Sequence, residues 1–295
     1  MLKFGAIDIG SNAVRLLITS VFEGSSGPIF KKTSLVRVPI RLGADVFTSG
    51  IISPENCNRM VDAMSAFKLL LGVHGVVGYR ACATSAMRNA ENGLELTSRI
   101  EKESGIDIEI IQGKEEANII FSNHFEEKLY SDRSYLYIDV GGGSTELTVF
   151  SDKKPVASRS FRIGTIRLLE NRVEPEYWDK LLGWVEDNTK ELGKVDGIGS
   201  GGNINKLYKM AEVTGAKPFR YKQLKKLHVT LREMSYEQRI EELGLNADRA
   251  DVIVPACGIF RAVMKRARIK DIIVPQFGLA DGMTRLLYED HKSLA

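Results

Sequence analysis

Cysteine is scarce in this sequence, and the three present, Cys57, Cys82 and Cys257, lie too far apart to form a CxxC pair. That excludes a zinc ribbon and a disulfide framework and makes a reducing cytoplasm the expected compartment. No apolar run approaches the roughly 18 residues of a spanning helix. The N-terminus, MLKFGAIDIG, breaks into a strand and a turn where an export signal would stay apolar, so neither membrane nor export is expected. A surplus of one charge sign is missing too, since 41 Lys plus Arg against 38 Asp plus Glu leave +3. A general electrostatic trap for nucleic acid polymers is thereby ruled out, and any anion site must be local. His74, His124, His228 and His291 show no HExxH spacing, which disfavours zinc hydrolysis and makes them ordinary core or surface histidines. A Walker loop is absent as well, because Ile108 stands where Gly113-Lys114 would need an upstream glycine. Prolines number only eight against 27 glycines, a ratio that points to backbone-critical turns rather than linkers.

The 295 residues, 43% hydrophobic and 27% charged, suffice for two domains with two cores. Lys3 to Ile7 reads as a strand that stops at Asp8-Ile9-Gly10-Ser11-Asn12 and resumes from Val14 to Ile18. Tyr135 to Asp139 repeats the pattern, followed by Val140-Gly141-Gly142-Gly143-Ser144-Thr145 and a second strand from Glu146 to Phe150. Two such hairpins, each with an Asp closing its first strand, are what a duplicated domain leaves behind.

The remaining periodicity is α/β throughout. Helices are expected over Ser53 to Leu71, Asn89 to Glu103 and Lys114 to Glu127, with strands over Val73 to Tyr79 and Ile106 to Ile111 and a loop from Arg80 to Arg88. The second half repeats the theme, with the strand Val195 to Ile198 entering Gly199-Ser200-Gly201-Gly202. A charged helical region follows over Tyr221 to Leu243, then one long helix from Asp248 to Ala267, a strand from Asp271 to Val274 and a terminal helix. A boundary is expected in the polar stretch from Lys128 to Ser134.

Gly-rich turns expose several backbone N–H groups in one concave patch, which suits phosphate oxygens. Each turn alone is an ordinary hairpin turn; two matched turns facing one cleft could hold consecutive phosphates. The candidates are Gly10, Ser11, Asn12 and Arg15 in the first, and Gly141, Gly142, Gly143, Ser144 and Thr145 in the second. Asp8, Asp139 and Glu146 would converge there as hard oxygen ligands for Mg²⁺, although Asp at a strand end also serves simply to accept turn hydrogen bonds. Ala83-Thr84-Ser85-Ala86-Met87-Arg88 adds two hydroxyls and a guanidinium suited to phosphate. Glu115 and Glu116 open a helix, where the dipole alone favours acids. A general base for water would require one of them to turn into the cleft, leaving the other solvated. Gly197-Ile198-Gly199-Ser200-Gly201-Gly202 matches the dinucleotide pattern GxGxxG, but Ala216 to Leu227 holds no acid for a ribose hydroxyl.

In order and spacing these segments, together with Arg41-Leu42-Gly43, Gly164 with Arg167-Leu168, and Arg249-Ala250-Asp251, resemble the exopolyphosphatase and guanosine pentaphosphate phosphatase family of the actin-like, sugar-kinase and Hsp70 superfamily. The resemblance implies an α/β fold of two ribonuclease-H-like (actin-like ATPase) domains with an interdomain cleft. Residues 1–128 would form the first domain and 129–280 the second, with a C-terminal helix of about 281–295 packing back on the first. It further implies Mg²⁺- or Mn²⁺-dependent hydrolysis of the terminal phosphoanhydride of polyphosphate. Glu116, second in the Glu-Glu-Ala motif, would be catalytic, with Glu146 the second important carboxylate. Arg88, and Arg15 or Arg41, would neutralise phosphate charge. The alternatives are a pppGpp 5′-phosphatase in the same site and, more distantly, an actin-like ATP-binding switch; a homodimer is compatible with either. Ala13, Asn89 and the segment Phe277 to Gly282 depart from the usual motifs without touching these carboxylates. The further helical domains that longer relatives use to hold long polyphosphate are not expected here, and neither is their processivity on long chains.

Overall fold

Two five- and six-stranded sheets organise the chain, and both are built around a hairpin whose first strand is central. The computed structural model describes residues 1–25, 27–123, 130, 133–213, 217–275 and 277–294. The chain divides into two compact units, Met1–Asn123 with Phe277–Ala295, and His124–Gln276. The boundary expected from Lys128 to Ser134 falls mostly on residues outside the described ones, as does the end of the helix expected to reach Glu127.

The first unit runs β1 (Leu2–Ile9), β2 (Val14–Gly24), β3 (Gly27–Val38), α1 (Leu42–Ser49), α2 (Pro54–Val73), β4 (Gly78–Ala83), α3 (Ser85–Asn89), α4 (Gly93–Ser104), β5 (Glu109–Ile110) and α5 (Gly113–Phe121). Its sheet order is β3-β2-β1-β4-β5, with β1 antiparallel to β2 and parallel to β4. β1 is buried on both faces from Phe4 onward, which is why its sequence is nearly continuous in apolar residues rather than alternating. β3 is an edge strand and carries Lys31, Lys32 and Arg37, a common protection against edge pairing.

The second unit comprises β6 (Ser134–Val140), β7 (Thr145–Ser151), β8 (Lys154–Phe161), α6 (Thr165–Leu169), α7 (Pro175–Thr189), β9 (Val195–Ser200), α8 (Gly202–Met210), β10 (Phe219–Arg220), α9 (Tyr221–Glu233), α10 (Tyr236–Glu241), α11 (Ala247–Ala250), α12 (Ile253–Arg266) and β11 (Asp271–Ile273). The order β8-β7-β6-β9-β11-β10 repeats that of the first sheet. One core runs through it, with Leu136, Ile138, Leu147, Val149 and Phe260 all shut away from solvent.

The duplication extends to fine detail. Gly10 N–H donates to Ala13 O and Gly141 N–H to Ser144 O, at 3.2 and 2.9 Å. In each hairpin the register to the third strand shifts ten residues after the Asp, at Ile18/Thr19 and at Val149/Phe150.

The last helix, α13 (Leu279–Leu294), packs on the first unit. Tyr288 meets Phe4 and Phe30 edge-on at 6.3 and 5.5 Å, geometry worth about 0.5–1.5 kcal/mol per pair beyond the area buried. Gly282 crosses α5 so closely that a Cβ would come within 1.8 Å of Ile119 O.

Three expectations need correction. The strand placed over Val73 to Tyr79 is β4, Gly78–Ala83, and the loop expected from Arg80 is strand and then α3. Arg80 is tolerated in a strand because its guanidinium pairs with Glu109 at 2.6 Å and Glu115 at 2.9 Å. The expected long helix from Asp248 to Ala267 is broken into α11 and α12. Pro255 is tolerated within the first turn of a helix, where its missing N–H has no partner to lose, so α12 starts just before it. The helix expected from Asn89 ends as α3 there and restarts as α4 at Gly93.

Candidate functional site

In the first unit β1, β4 and β5 run parallel, and the chemistry-bearing residues collect where these strands end. Loops at the carboxyl ends of parallel strands are the usual ligand-binding edge of an open α/β sheet. The turn Gly10-Ser11-Asn12 is clamped by three backbone bonds: Arg41 N–H to Asn12 O at 3.1 Å, Gly43 N–H to Ser11 O at 2.8 Å, and Thr84 N–H to Ile9 O at 3.1 Å. Ser11 and Ser85 share a buried hydroxyl contact of 2.9 Å. Arg41, at the N-cap of α1, holds a left-handed backbone with φ 62. That conformation costs a non-glycine residue roughly 1–2 kcal/mol, and here it turns the chain so that α1 starts against the glycine turn.

Asp8 and Arg15 are direct partners across β1 and β2, and Arg15 Nη1 donates to Asp8 Oδ2 at 2.7 Å. The pair is largely sheltered, with 13% of the Asp8 side chain and 30% of the Arg15 side chain exposed. Arg88 Nη1 donates to Ile111 O at 2.6 Å, which ties α3 to the segment leading into α5. Of the two acids on that helix, Glu115 faces outward and is taken by Arg80 at 2.9 Å, whereas Glu116 is half-buried.

The second unit uses the same sheet edge. Asp139 and Glu146 are direct partners across β6 and β7, at the positions Asp8 and Arg15 hold in the first hairpin. Glu146 is buried, and its Oε1 accepts from Ser144 Oγ at 2.5 Å and Ser160 Oγ at 3.0 Å. Asp139 Oδ2 accepts from Tyr137 Oη at 3.2 Å. Gly201, at φ 95, leaves open the space beside Asp139, since a Cβ there would stand 2.8 Å from Oδ1. Gly197 and Gly199 instead make room for the side chains of Ile269 and Ile272, so most of the GxGxxG pattern serves packing.

The turn from Gly141 to Gly143 is fixed by a neighbouring segment. Thr165 N–H donates to Gly141 O at 3.0 Å, Ile166 N–H to Gly142 O at 2.9 Å, and Arg167 Nε to Gly143 O at 2.8 Å. Thr145 Oγ1 donates to Ile163 O at 2.6 Å. Arg167 is buried, and desolvation followed by repulsion from Arg162 lowers its pKa to about 10. Its motif was visible in the sequence, but its position under the turn depends on the β8–α6 connection, which no local pattern encodes.

Two opposed carboxylates on one sheet face repel each other, and a hard divalent cation would relieve that repulsion. Among the described residues no three acids, histidines or cysteines gather as a complete ligand cage. Mg²⁺ suits such a site because it is commonly bound through one or two carboxylates plus substrate phosphates. Asp139 and Glu146, with the open space made by Gly201, fit that ion. Asp8 is differently placed, its Oδ2 being engaged by Arg15. The structure thus brings together Asp8, Gly10, Ser11, Arg15 and Ser85 at one sheet edge and Asp139, Gly141 to Thr145, Glu146 and Gly201 at the other.

A duplicated α/β unit with paired glycine turns and carboxylates at the carboxyl ends of its strands defines a phosphoryl-handling enzyme of the actin-like class. The chain belongs to the Ppx/GppA phosphatase family, whose model matches residues 18–291. It is 26% identical to exopolyphosphatase 1 of Mycobacterium tuberculosis, over 96% of this chain and 87% of that protein. It is also 26% identical to the guanosine-5′-triphosphate,3′-diphosphate pyrophosphatase of Photobacterium profundum, over 95% of this chain and 58% of that one. The crystal structure of an exopolyphosphatase from Cytophaga hutchinsonii superposes with a TM-score of 0.83 at 25% identity, covering 98% of each chain. The resemblance read from the motifs, the two-domain actin-like α/β fold and the phosphoanhydride hydrolase class are borne out. Among the described residues no helix is long and apolar enough to cross a membrane.

Proposed function

We propose that the protein is an exopolyphosphatase that hydrolyses the terminal phosphoanhydride bond of inorganic polyphosphate and releases orthophosphate. The observation that carries this reading is the repeated hairpin, in which one Asp–turn–charged-residue unit ends in Arg15 and its duplicate ends in Glu146. One half then offers a cation to phosphate oxygens, and the other offers a carboxylate pair to a divalent metal. In the first unit the backbone N–H groups of Ser11 and Asn12 would meet phosphate oxygens, with Arg88 and Arg41 adding charge, and in the second those of Gly142 to Ser144 would do the same. The Gly10 and Gly141 N–H groups close the two turns. Asp8 holds Arg15 in place across the hairpin and thereby acts as a positioning residue.

Phosphatases of this family are generally dependent on a divalent metal. Mg²⁺, or Mn²⁺ in its place, would be held by Asp139 and Glu146 and would supply neutralisation of charge on the transferring phosphoryl group. Glu116 orients a water and accepts its proton. The water oxygen bonds to the terminal phosphorus as the bridging P–O bond breaks, and the shortened chain leaves with the bond's electron pair. Ser144 and Ser160, both donating to Glu146 Oε1, keep that carboxylate aimed. The three thiols are unpaired, and a reducing cytoplasm is the compartment that we infer.

The Photobacterium relative gives a second reading, pppGpp 5′-phosphatase activity at the same residues, because both substrates end in a phosphoanhydride. Phosphate release from short polyphosphate, long polyphosphate and pppGpp at matched terminal-phosphate concentration separates the two. Glu116→Gln should lower kcat roughly 10²–10⁴-fold while leaving substrate binding intact. Near-normal turnover by that variant would reject Glu116 as the base.

A further inference from the structure

The second unit carries a pocket of about 830 Å³ at the end of its sheet remote from the Gly141–Thr145 turn. β9 begins there at Val195, which lines the pocket, and ends at Ser200, the partner of Asp139. Five residue steps of extended chain, about 17 Å, therefore separate the two places. Lys190, Lys194, Lys265, Arg266, Arg268 and Lys270 line the pocket against a single acid, Glu186.

Some of this charge has a structural origin, since α7 and α12 both end at the pocket and helix C-termini favour cations. Arg266 pairs with Glu186 at 2.7 Å, Lys190 with Asp187 at 3.6 Å and Lys194 with Asp196 at 3.5 Å. Lys265, Arg268 and Lys270 are exposed and make no ion pair among the described residues. Arg268 adds an independent observation. It follows α12 at φ 55, where Ile269 N–H donates to Met264 O and its own N–H to Lys265 O. That helix ending favours glycine at this position. An arginine kept in an unfavourable backbone conformation at the mouth of a basic pocket points from strain to function.

We propose that this pocket is a second binding site, for a short oligophosphate anion. Its volume falls within the range of small-ligand sites, about 300–1,000 Å³. No aromatic side chain lines it, so it offers no stacking platform for a nucleobase. Lysines supply point charges and arginines a planar fork, the combination suited to phosphate oxygens on several sides. The anion preference stands on the pocket itself; the choice of oligophosphate rests on the proposed substrate.

The test is lysine acetylation of the full-length protein with increasing tripolyphosphate in chelator-containing buffer, read residue by residue by mass spectrometry. Tripolyphosphate should slow acetylation of Lys194, Lys265 and Lys270. Arg268→Gly should raise the half-protecting concentration about tenfold, the loss expected for one charge-assisted contact, without lowering Tm. Lys265→Glu should weaken protection of Lys194 and Lys270 further. Absent protection, an unchanged half-protecting concentration in Arg268→Gly, or equal protection by duplex DNA at matched phosphate would overturn the site. Phosphate release with added Mg²⁺ is measured on the same preparations. Release without protection removes the pocket and leaves the proposed activity; protection without release does the reverse.

Discussion

Gly164→Ala isolates the turn geometry from the charges around it. The added Cβ would stand 2.3 Å from Gly142 O and 2.5 Å from the carbonyl carbons of both Gly142 and Gly143. These are backbone atoms, so no rotamer change can relieve the overlap, and restoring van der Waals contact requires a shift of about 1 Å. The shift strains the bonds from Thr165 and Ile166 to Gly141 and Gly142, now 3.0 and 2.9 Å, and displaces the N–H groups proposed to hold phosphate. A misplacement of that size costs on the order of 10²-fold in rate, and overpacking costs about 1–3 kcal/mol of stability. The assay is kcat/KM for phosphate release from short polyphosphate, measured well below the Tm of the variant. Gly183→Ala is the control: it sits within α7 with nothing inside 4 Å of its new Cβ, and should add about 0.5–1 kcal/mol of stability at unchanged rate. Wild-type kcat/KM in Gly164→Ala would refute the reasoning that this turn positions substrate.

Glu115→Gln should leave kcat/KM within about twofold and cost at most about 1 kcal/mol, because Glu115 is committed to an exposed pair with Arg80; a loss matching that of Glu116→Gln would reverse the assignment. His228 is buried against Arg261, whose Nη1 donates to Nδ1, and burial, then Arg261 and Arg232, lower its pKa to about 4. The unfolded chain, with His near 6.5, then binds more protons than the folded one below that value. Stability from this site is complete above about pH 6.5 and falls as pH drops towards 4, by ~1–2 kcal/mol after allowance for solvent screening. Melting curves across that range should show the decline in the wild type and a shallower one in His228→Gln; identical slopes would remove His228 as the cause. Burial pushes the Cys82 and Cys257 thiols up to about 12, so native protein at pH 7.5 should take up a thiol reagent at Cys57 alone, and rapid labelling of either buried thiol would contradict the packing.

The hairpins, their Asp residues and the glycine turns were legible in the sequence because each is a local pattern. Short apolar runs, turn chemistry and the spacing from Asp8 to Arg15 or from Asp139 to Glu146 all lie within about ten residues. Where local signals competed, the reading slipped. Charged Arg80 looked like loop until Glu109 and Glu115 were brought beside it, and the helical run around Asp248 to Ala267 concealed the break before Pro255.

By itself the sequence established a duplicated α/β chain with two phosphate-suited turns and an acidic pair opening a helix. Tertiary structure decided that Glu115 is taken by a guanidinium, since Arg80 reaches it only after β4 and β5 pair. It also decided that Asp8 meets a guanidinium while Asp139 meets a carboxylate, and that Gly164 and Arg167 hold the second turn from beneath. The physical reason is range: backbone conformation is set by neighbours along the chain, whereas the partner of a charge is set by whatever the packed sheet brings within 3 Å, about one hydrogen-bond length.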